Sequence, residues 1–318
     1  MVRILTKTKH VGATRRLVAT VLVGGAAILL PATVQALSVF ACEPEWAALV
    51  RVMAPDASIT VATHAHQDPH HVEARPALIS GLRRAQLAVC TGASLEVGWL
   101  PVLQQRAANE AVQVGRPGMF FASEAVSLID SQAKVDRSMG DVHAEGNPHI
   151  HLDPVRLKTV ARRLAERLGQ VDPANAADYL ARQRRWEQDW DAHIARWKTQ
   201  AAPLAGRSVV AEHSGFAYLW RWLEIRQAGD LEPKPGLPPT LSHLQELLGR
   251  VRAQPPFAVV QSLYQDPQAG RWLVDRIQVP LLVLPSTVTP KGSAASLDGL
   301  FDVLVDELLK AAQGTPAK

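Results

Sequence analysis

The chain has 318 residues, of which 47% are hydrophobic, 20% charged and 5% aromatic, a composition typical of a globular protein and not of a disordered or collagen-like one. The formal net charge is +4, but residues 1–36 carry five lysines or arginines and no acid, which leaves one net negative charge on residues 37–318. The basic character therefore belongs to the N-terminal segment, and nucleic acid is not an expected partner.

Residues 1–36 are predicted to be a secretory signal peptide. A basic stretch ends at the arginine pair 15–16, an apolar stretch covers residues 17–30, and residues 34–36 offer a small-x-small cleavage site. The apolar stretch is shorter than the about 20 residues that a membrane span needs, although a single N-terminal anchor is the alternative. We expect export to the periplasm, with a mature protein that begins at Leu37.

Short β-rich runs alternate with helical patterns in the first half of the mature chain, which is typical of parallel α/β units. The predicted strands are Leu37–Ala41, Ser58–Ala62, Leu87–Cys90 and a weaker one near Met119–Ala122. The predicted helices include Pro76–Arg84, Trp99–Ala107 and Pro154–Leu168.

The only two cysteines of the chain stand at the ends of the first and third predicted strands. In a doubly wound sheet of order 2-1-3-4 these strands are neighbours. Cys42 and Cys90 would then share the carboxyl edge of the sheet and could form a disulfide in an oxidising compartment. Two buried thiols that behave as small hydrophobic residues are the alternative.

A long helix is predicted from Pro173 to about Ala202. Its apolar residues recur at steps of mostly three or four, and no glycine or proline interrupts the segment. At 1.5 Å per residue, thirty residues span about 45 Å, so the helix could run between two lobes. A helical hairpin broken near Gln188 is the alternative.

The alternation of strands and helices restarts after this helix. The predicted strands are Ser208–Ala211, Ile225–Ala228, Ala258–Gln261 and Leu281–Leu284, and the predicted helices are Leu241–Arg252, Gln268–Arg276 and Leu297–Ala311. The predicted fold class is therefore α/β, with two lobes that each hold a mostly parallel sheet flanked by helices. The first lobe covers residues 37–170, the bridging helix residues 171–204 and the second lobe residues 205–318.

Histidines concentrate in loops that border the predicted strands. One cluster, residues 64–71, directly follows the second strand; another, residues 146–154, leads into a helix; His213 follows a strand of the second half. Sheets of this kind place ligand sites at their carboxyl edges, and neutral imidazole binds zinc well. The pattern predicts a transition-metal site. Three other histidines have no special context and are interpreted as surface residues: His143, His193 and His243.

Four motifs resemble those of a known family. Asp-Pro-His at residues 68–70, Pro-His followed by Leu-Asp-Pro within residues 148–154, His213 before Phe-Ala-Tyr, and Glu-Pro-Lys-Pro-Gly at residues 232–236 occur in this order. They are similar to the motifs of the metal-binding solute receptors of bacterial ABC transporters, the zinc and manganese class. The resemblance runs from about Leu37 to the C-terminal helix, and the family fold also has two α/β lobes bridged by one long helix.

The resemblance implies three metal ligands, His70 and His149 from the first lobe and His213 from the second, and no catalytic residue. The family usually supplies a fourth ligand from the loop after the last strand, often an aspartate, but residues 284–290 contain no carboxylate. Four candidates for the fourth position remain open: water, Asp298, His66 and His151. Asp68 or Glu212 is expected to orient the rings from behind.

The leading interpretation is a periplasmic receptor, expected to be a monomer, that captures zinc between two lobes and delivers it to a membrane ABC permease. Three imidazoles favour zinc over manganese, which prefers carboxylate-rich sites. A secreted zinc hydrolase is the alternative from another class, because three histidines and a water also form catalytic sites. However, the sequence lacks a His-Glu-x-x-His pair. A periplasmic zinc buffer or metallochaperone is the third interpretation.

Overall fold

The computed structural model describes residues 36–132 and 140–314, together with residues 1, 5, 7–10 and 12. The chain divides into two units, residues 1–35 and residues 36–318. The predicted signal peptide therefore lies almost wholly outside the described residues. Within the described part of the chain, no helix combines the length and the apolar character that crossing a membrane requires.

The first sheet has four parallel strands in the order β2-β1-β3-β4, which confirms the order expected from the sequence. The strands are β1 (Ser38–Ala41), β2 (Ser58–Val61), β3 (Leu87–Cys90) and β4 (Met119–Phe121). The helices of this half are α1 (Pro44–Met53), α2 (Pro76–Arg84), α3 (Leu100–Ala107) and α4 (Pro154–Val171).

The two cysteines form a disulfide. Cys42 and Cys90 join the carboxyl ends of β1 and β3 with their Cα atoms 4.8 Å apart, and both side chains are fully buried. The pairing follows from the topology, because β1 and β3 are adjacent parallel strands in register. The disulfide therefore fixes the edge of the sheet from which the histidine loops depart.

The second sheet repeats the same topology in the order β6-β5-β7-β8, again with all strands parallel. After the long helix α5 (Ala176–Ala201), the remaining elements are β5 (Ser208–Ala211), α6 (Ala217–Trp222), β6 (Arg226–Asp230), α7 (Leu241–Val251), β7 (Ala258–Ser262), α8 (Gln268–Ile277), β8 (Leu281–Leu284) and α9 (Leu297–Gly314). Strand and helix ends differ from the predicted ones by at most a few residues, as is usual for element boundaries.

Alternate strand residues serve two different cores, because successive side chains on a strand point to opposite faces of the sheet. Val39 and Ala41 of β1 belong to a large central core that also contains residues of α4, α5 and α9, whereas Phe40 faces an outer core formed with α2 and α3. In β5, Val209 joins the central core and Val210 an outer core formed with α7 and α8. The central core thus holds both halves together.

Helix α5 is continuous and bridges the two halves, which excludes the hairpin alternative. The Trp190 indole donates to the carbonyl of Pro154 in the first half at 2.8 Å, and the Trp197 indole donates to Asp302 on α9 at 2.6 Å. Short 3-10 turns flank the helix, so it begins three residues later than expected, after Pro173–Asn175. The predicted fold class is confirmed; the lobe boundaries at residues 170, 171, 204 and 205 stay a prediction.

Candidate metal centre

Three histidines that are distant in sequence converge at the carboxyl edges of the two sheets. His70 lies in the loop between β2 and α2, His149 in the loop before α4, and His213 two residues after β5. One ring nitrogen from each lies within 4.8 Å of the others, and all three residues are buried. The ring centroids form a triangle with sides of 5.8 Å. The structure therefore brings together the three residues that the resemblance implied.

Hydrogen bonds from Asn147 position the loop of His149 against the loop of His213. The Asn147 side-chain oxygen accepts from the backbone N–H of His149 at 2.9 Å, and its amide donates to the carbonyl of Ser214 at 2.9 Å. The Tyr218 hydroxyl donates to the carbonyl of Asn147 at 2.8 Å. Asn147 and Tyr218 thus tie the loop that carries His149 to the segment that follows His213.

Carboxylates orient two of the three rings. The Nδ1 atom of His70 lies 2.7 Å from Asp68 Oδ1, and the Nδ1 atom of His213 lies 2.9 Å from Glu232 Oε2. An Nδ1–H that donates to a carboxylate leaves the Nε2 lone pair free, which is the tautomer that a metal ligand needs. Asp68 was one of the two expected orienting residues; Glu232 takes the place of the other, Glu212, whose carboxylate instead accepts from Gln261.

His149 has no such partner among the described residues: its Nε2 atom is buried and makes no hydrogen bond there. Burial, together with the neighbouring histidines, holds the pKa of His149 well below its ordinary value. Its ring is therefore neutral at pH 7, and its free lone pair is available to a cation. A buried nitrogen without a partner costs free energy, which a bound metal would offset.

The pKa of His213 moves in the opposite direction. Burial alone would lower the pKa of this ring, but the hydrogen bond and the negative charge of Glu232 raise it above the ordinary value. For Asp68 the two effects have opposite signs: burial raises the pKa of this carboxyl, but the hydrogen bond and charge of His70 lower it by more, so its pKa lies below the ordinary value. The site thus holds a neutral ring, His149, beside a ring that binds protons readily, His213.

His143, interpreted from the sequence as a surface residue, is instead part of the site. Its ring stacks on that of His70 with centroids 5.4 Å apart, and the two Nε2 atoms are 3.3 Å apart. Burial, with the charges of His70 and His213, lowers the pKa of His143 to about 4. The sequence gives no periodic signal for this contact, because it depends on how residues 140–147 cross the cleft.

The three side chains expected as candidates for the fourth position, His66, His151 and Asp298, do not belong to the group of His70, His149 and His213. His66 is exposed. The Nε2 atom of His151 lies 2.7 Å from the carbonyl of Ser286, and its Nδ1 atom lies 3.1 Å from Glu45 Oε1. Asp298 lies in the first turn of α9, the helix that packs on α5 and β8. The loop after β8, from which the family usually supplies a ligand, is held on the first half by His151 and by the Thr287 hydroxyl, which donates to Glu45.

An acidic cleft of about 440 Å³ adjoins the histidines. Its lining includes five carboxylates: Asp68, Asp141, Glu212, Glu232 and Asp266. Burial raises the pKa of Glu212 to about 7, with a further contribution from the charge of Glu232. A cleft with this charge attracts cations and repels anions.

This chain is similar to known periplasmic metal-binding proteins. The high-affinity zinc uptake system protein ZnuA of Yersinia pestis is 23% identical over 242 residues, which cover 72% of this chain and 75% of that protein. A crystal structure of ZnuA superposes with a TM-score of 0.73 at 19% identity, over 87% of this chain and 100% of that one. A cadmium-bound periplasmic metal-binding protein from Candidatus Liberibacter asiaticus gives 0.70 at 18% identity, over 86% and 100%.

The family model described as zinc-uptake complex component A, periplasmic, matches residues 39–311. The match covers both sheets, the bridging helix and all four histidines of the site. It confirms the resemblance inferred from the motifs around His70, His149 and His213. This chain therefore belongs to the family of periplasmic component A proteins of zinc-uptake complexes.

Proposed function

We propose that this protein is the periplasmic receptor of an ABC transporter and that it binds one zinc ion through His70, His149 and His213. The observation that carries the proposal is the convergence of three buried imidazoles, two of which donate their Nδ1–H to carboxylates. This arrangement leaves a lone pair on the Nε2 atoms of His70 and His213, and one ring nitrogen of each of the three residues lies within 4.8 Å of the others. Neutral imidazoles suit zinc, whereas manganese prefers oxygen ligands.

Capture follows from the same geometry. The acidic cleft concentrates divalent cations beside the histidines, and the ion then exchanges its hydration water for ring nitrogens. His213 must release any bound proton before it can bind the metal, because the lone pair serves both. Glu232 and Asp68 stabilise the partial positive charge that the rings acquire when they bind the cation.

The test is metal binding by protein purified from the periplasm. We expect one tightly bound zinc per chain and far weaker manganese binding, measured by competition with a chromophoric chelator. A protein that binds manganese as tightly as zinc, or no zinc at all, would contradict the proposal. N-terminal sequencing of the same sample should begin at Leu37, and a product that keeps residues 1–36 would show that they act as an anchor.

Delivery to a permease is the second part of the proposal, and it distinguishes a receptor from a zinc buffer. Deletion of the gene is expected to lower the rate of zinc uptake by cells in zinc-limited medium, and the wild-type gene should restore it. Unchanged uptake would favour the buffer. A hydrolase is disfavoured because the carboxylates nearest the rings, Asp68 and Glu232, already accept from ring nitrogens; zinc-loaded protein should not hydrolyse ester, amide or phosphoester substrates.

A further inference from the structure

The ring of His143 lies close to His70, at the distance that separates two nitrogen ligands of one zinc ion. Its Nε2 atom is 3.3 Å from the Nε2 atom of His70. For Zn–N bonds of about 2.0–2.1 Å, tetrahedral geometry places neighbouring ligand nitrogens about 3.3–3.4 Å apart. The two nitrogens are therefore already separated by the length of one edge of a zinc tetrahedron.

The Nδ1–H of His70 donates to Asp68, with the two atoms 2.7 Å apart, so the His70 Nε2 atom carries a lone pair, and this atom lies 3.3 Å from His143 Nε2. A cation between the two Nε2 atoms would bind both lone pairs at once. Without the cation, one of the two nitrogens must carry a proton to make an N–H···N hydrogen bond. The separation of the two Nε2 atoms therefore suits a metal ion shared by His70 and His143.

The segment that carries His143 is held on both sides of the cleft. The N–H of Asp141 donates to the carbonyl of Pro235 in the second half at 2.8 Å, and the carbonyl of Ala144 accepts from the N–H of Gln132 in the first half at 3.0 Å. Gly140, at a φ of 81°, lies so close to Pro235 that a Cβ there would clash with the Pro235 carbonyl oxygen. His143 lies between these two attachments, over the cleft.

The fourth position is also left open by the rest of the site. The loop after β8 is tied to Glu45 and His151 by hydrogen bonds, and it contains no carboxylate. Asp68 and Glu232 accept from the Nδ1 atoms of the ligand rings. Among the described residues, His143 is thus the side chain outside the group of His70, His149 and His213 whose ring nitrogen lies at the tetrahedral ligand–ligand distance from one of them, His70.

We propose that His143 is the fourth zinc ligand and that the site is a four-imidazole site, an inference that rests on the proposed function. Four neutral nitrogen ligands suit tetrahedral zinc and the borderline ions near it, and they bind manganese, calcium and magnesium poorly because those ions prefer oxygen. His143 therefore acts as a selectivity residue as well as a ligand.

The experiment compares His143→Ala with a matched control, His66→Ala, which removes an exposed histidine from the loop of His70. Loss of an outer partner of a ligand costs roughly 10- to 100-fold in metal affinity, and loss of a ligand should cost at least as much. We expect His143→Ala to weaken zinc binding by that factor and His66→Ala to leave it unchanged. X-ray absorption at the zinc edge should count four imidazoles in the wild type and three in His143→Ala.

The same count in both proteins, or an unchanged affinity of His143→Ala, would overturn the four-imidazole proposal. His149→Ala separates this failure from that of the proposed function: if it too binds zinc as the wild type does, the site itself is elsewhere. A second variant, His143→Asp, should recover zinc binding and raise manganese affinity relative to zinc, since it restores an anionic oxygen ligand. Metal-free thermal unfolding of each variant checks that the fold is intact.

Discussion

The two sheets have the same topology, yet their carboxyl edges contribute different chemistry to the cleft. The edge of the first sheet carries three imidazoles and is fixed by the Cys42–Cys90 disulfide. The edge of the second carries one imidazole, His213, and three of the five carboxylates that line the cleft. In the proposed site, one half would therefore supply most of the metal–nitrogen bonds, while the other half supplies most of the carboxylates that would attract the ion and the one that orients His213.

The largest expected effect tests the nitrogen-rich edge. His149→Ala should weaken zinc binding by more than about 100-fold, because loss of an outer partner alone costs roughly 10- to 100-fold and His149 is the buried ring whose Nε2 has no other partner among the described residues. Competition with a chromophoric chelator measures the change. His193→Ala on α5 is the control, and equal affinities for the two variants would remove His149 from the site.

The next effect compares the two carboxylates that orient the ligand rings, Glu232 in the second half and Asp68 in the first. Glu232→Gln and Asp68→Asn each remove the carboxylate that orients one ring, and each should weaken zinc binding at pH 7.5 by roughly 10- to 100-fold. Glu232→Gln should also change the pH profile, and by more than Asp68→Asn does, because Glu232 raises the pKa of His213 more than the charge of Asp68 does. Glu232 raises the pKa of His213, so in the wild type protons begin to compete for that ring at a higher pH than for an ordinary histidine.

Without the charge of Glu232, that competition should start at a lower pH, and zinc affinity should fall less steeply between about pH 8 and 6. Affinity titrations of both variants over this range are the measurement. A pH profile of Glu232→Gln that matches the wild type would show that another group, not His213, binds the competing proton.

A smaller effect, on stability, concerns two buried acids near the carboxyl edge of the first sheet. Glu43 and Glu96 are 2% exposed and lie close together beside Thr91; burial raises the pKa of Glu96 to about 7 and also raises the pKa of Glu43. Since the unfolded chain loses these protons at lower pH, stability should fall as pH rises from about 4.5 to 7, and the loss is complete above the folded-state pKa.

Glu96→Gln removes the part of that dependence that Glu96 contributes. The metal-free variant should be more stable than the wild type at pH 8 by up to about 3 kcal/mol, and equally stable near pH 4.5. Thermal unfolding across this range measures the difference. Glu73→Gln, an exposed carboxylate in the His70 loop, is the control, and a similar gain from that variant would mean that net charge and not the buried pair is responsible.

The smallest expected effect is the movement of the two halves relative to each other when zinc binds. Helix α5 has no internal glycine or proline, and Trp190 and Trp197 are bonded to opposite halves, so it offers no hinge. Zinc should change the radius of gyration by less than about 1 Å, as in other complexes with little backbone movement. Small-angle scattering with and without zinc measures it, and a compaction of several ångströms would require a hinge within α5.

Much of the fold is predictable from the sequence because each strand has a local signal. Alternating and continuous apolar runs indicated all eight described strands, and the 2-1-3-4 order made the pairing of Cys42 and Cys90 a geometric possibility before the structure confirmed it. Helix α1 was not among the predicted helices, although Pro44 at its first position is a common start signal. Local patterns of apolar residues thus predict most of the strands and helices.

The site was predictable only in part, because its contacts are tertiary. Glu212 was expected beside His213 as its sequence neighbour, but adjacent residues after a strand face opposite ways, and the ring instead contacts Glu232, 19 residues away. His143 was missed for the same reason: its place depends on the contact of Asp141 with Pro235 across the cleft. Motifs predict which loops meet, but not which side chains within them touch.

Anomalous diffraction at the zinc edge from crystals of the zinc-loaded protein tests the central claim most directly, because it locates the metal and its ligands together. We expect one anomalous peak between the two sheets, within about 2.0–2.1 Å of a ring nitrogen of each of His70, His149 and His213. A peak bonded to other residues, or a peak bonded to histidines of the first half alone, would contradict it.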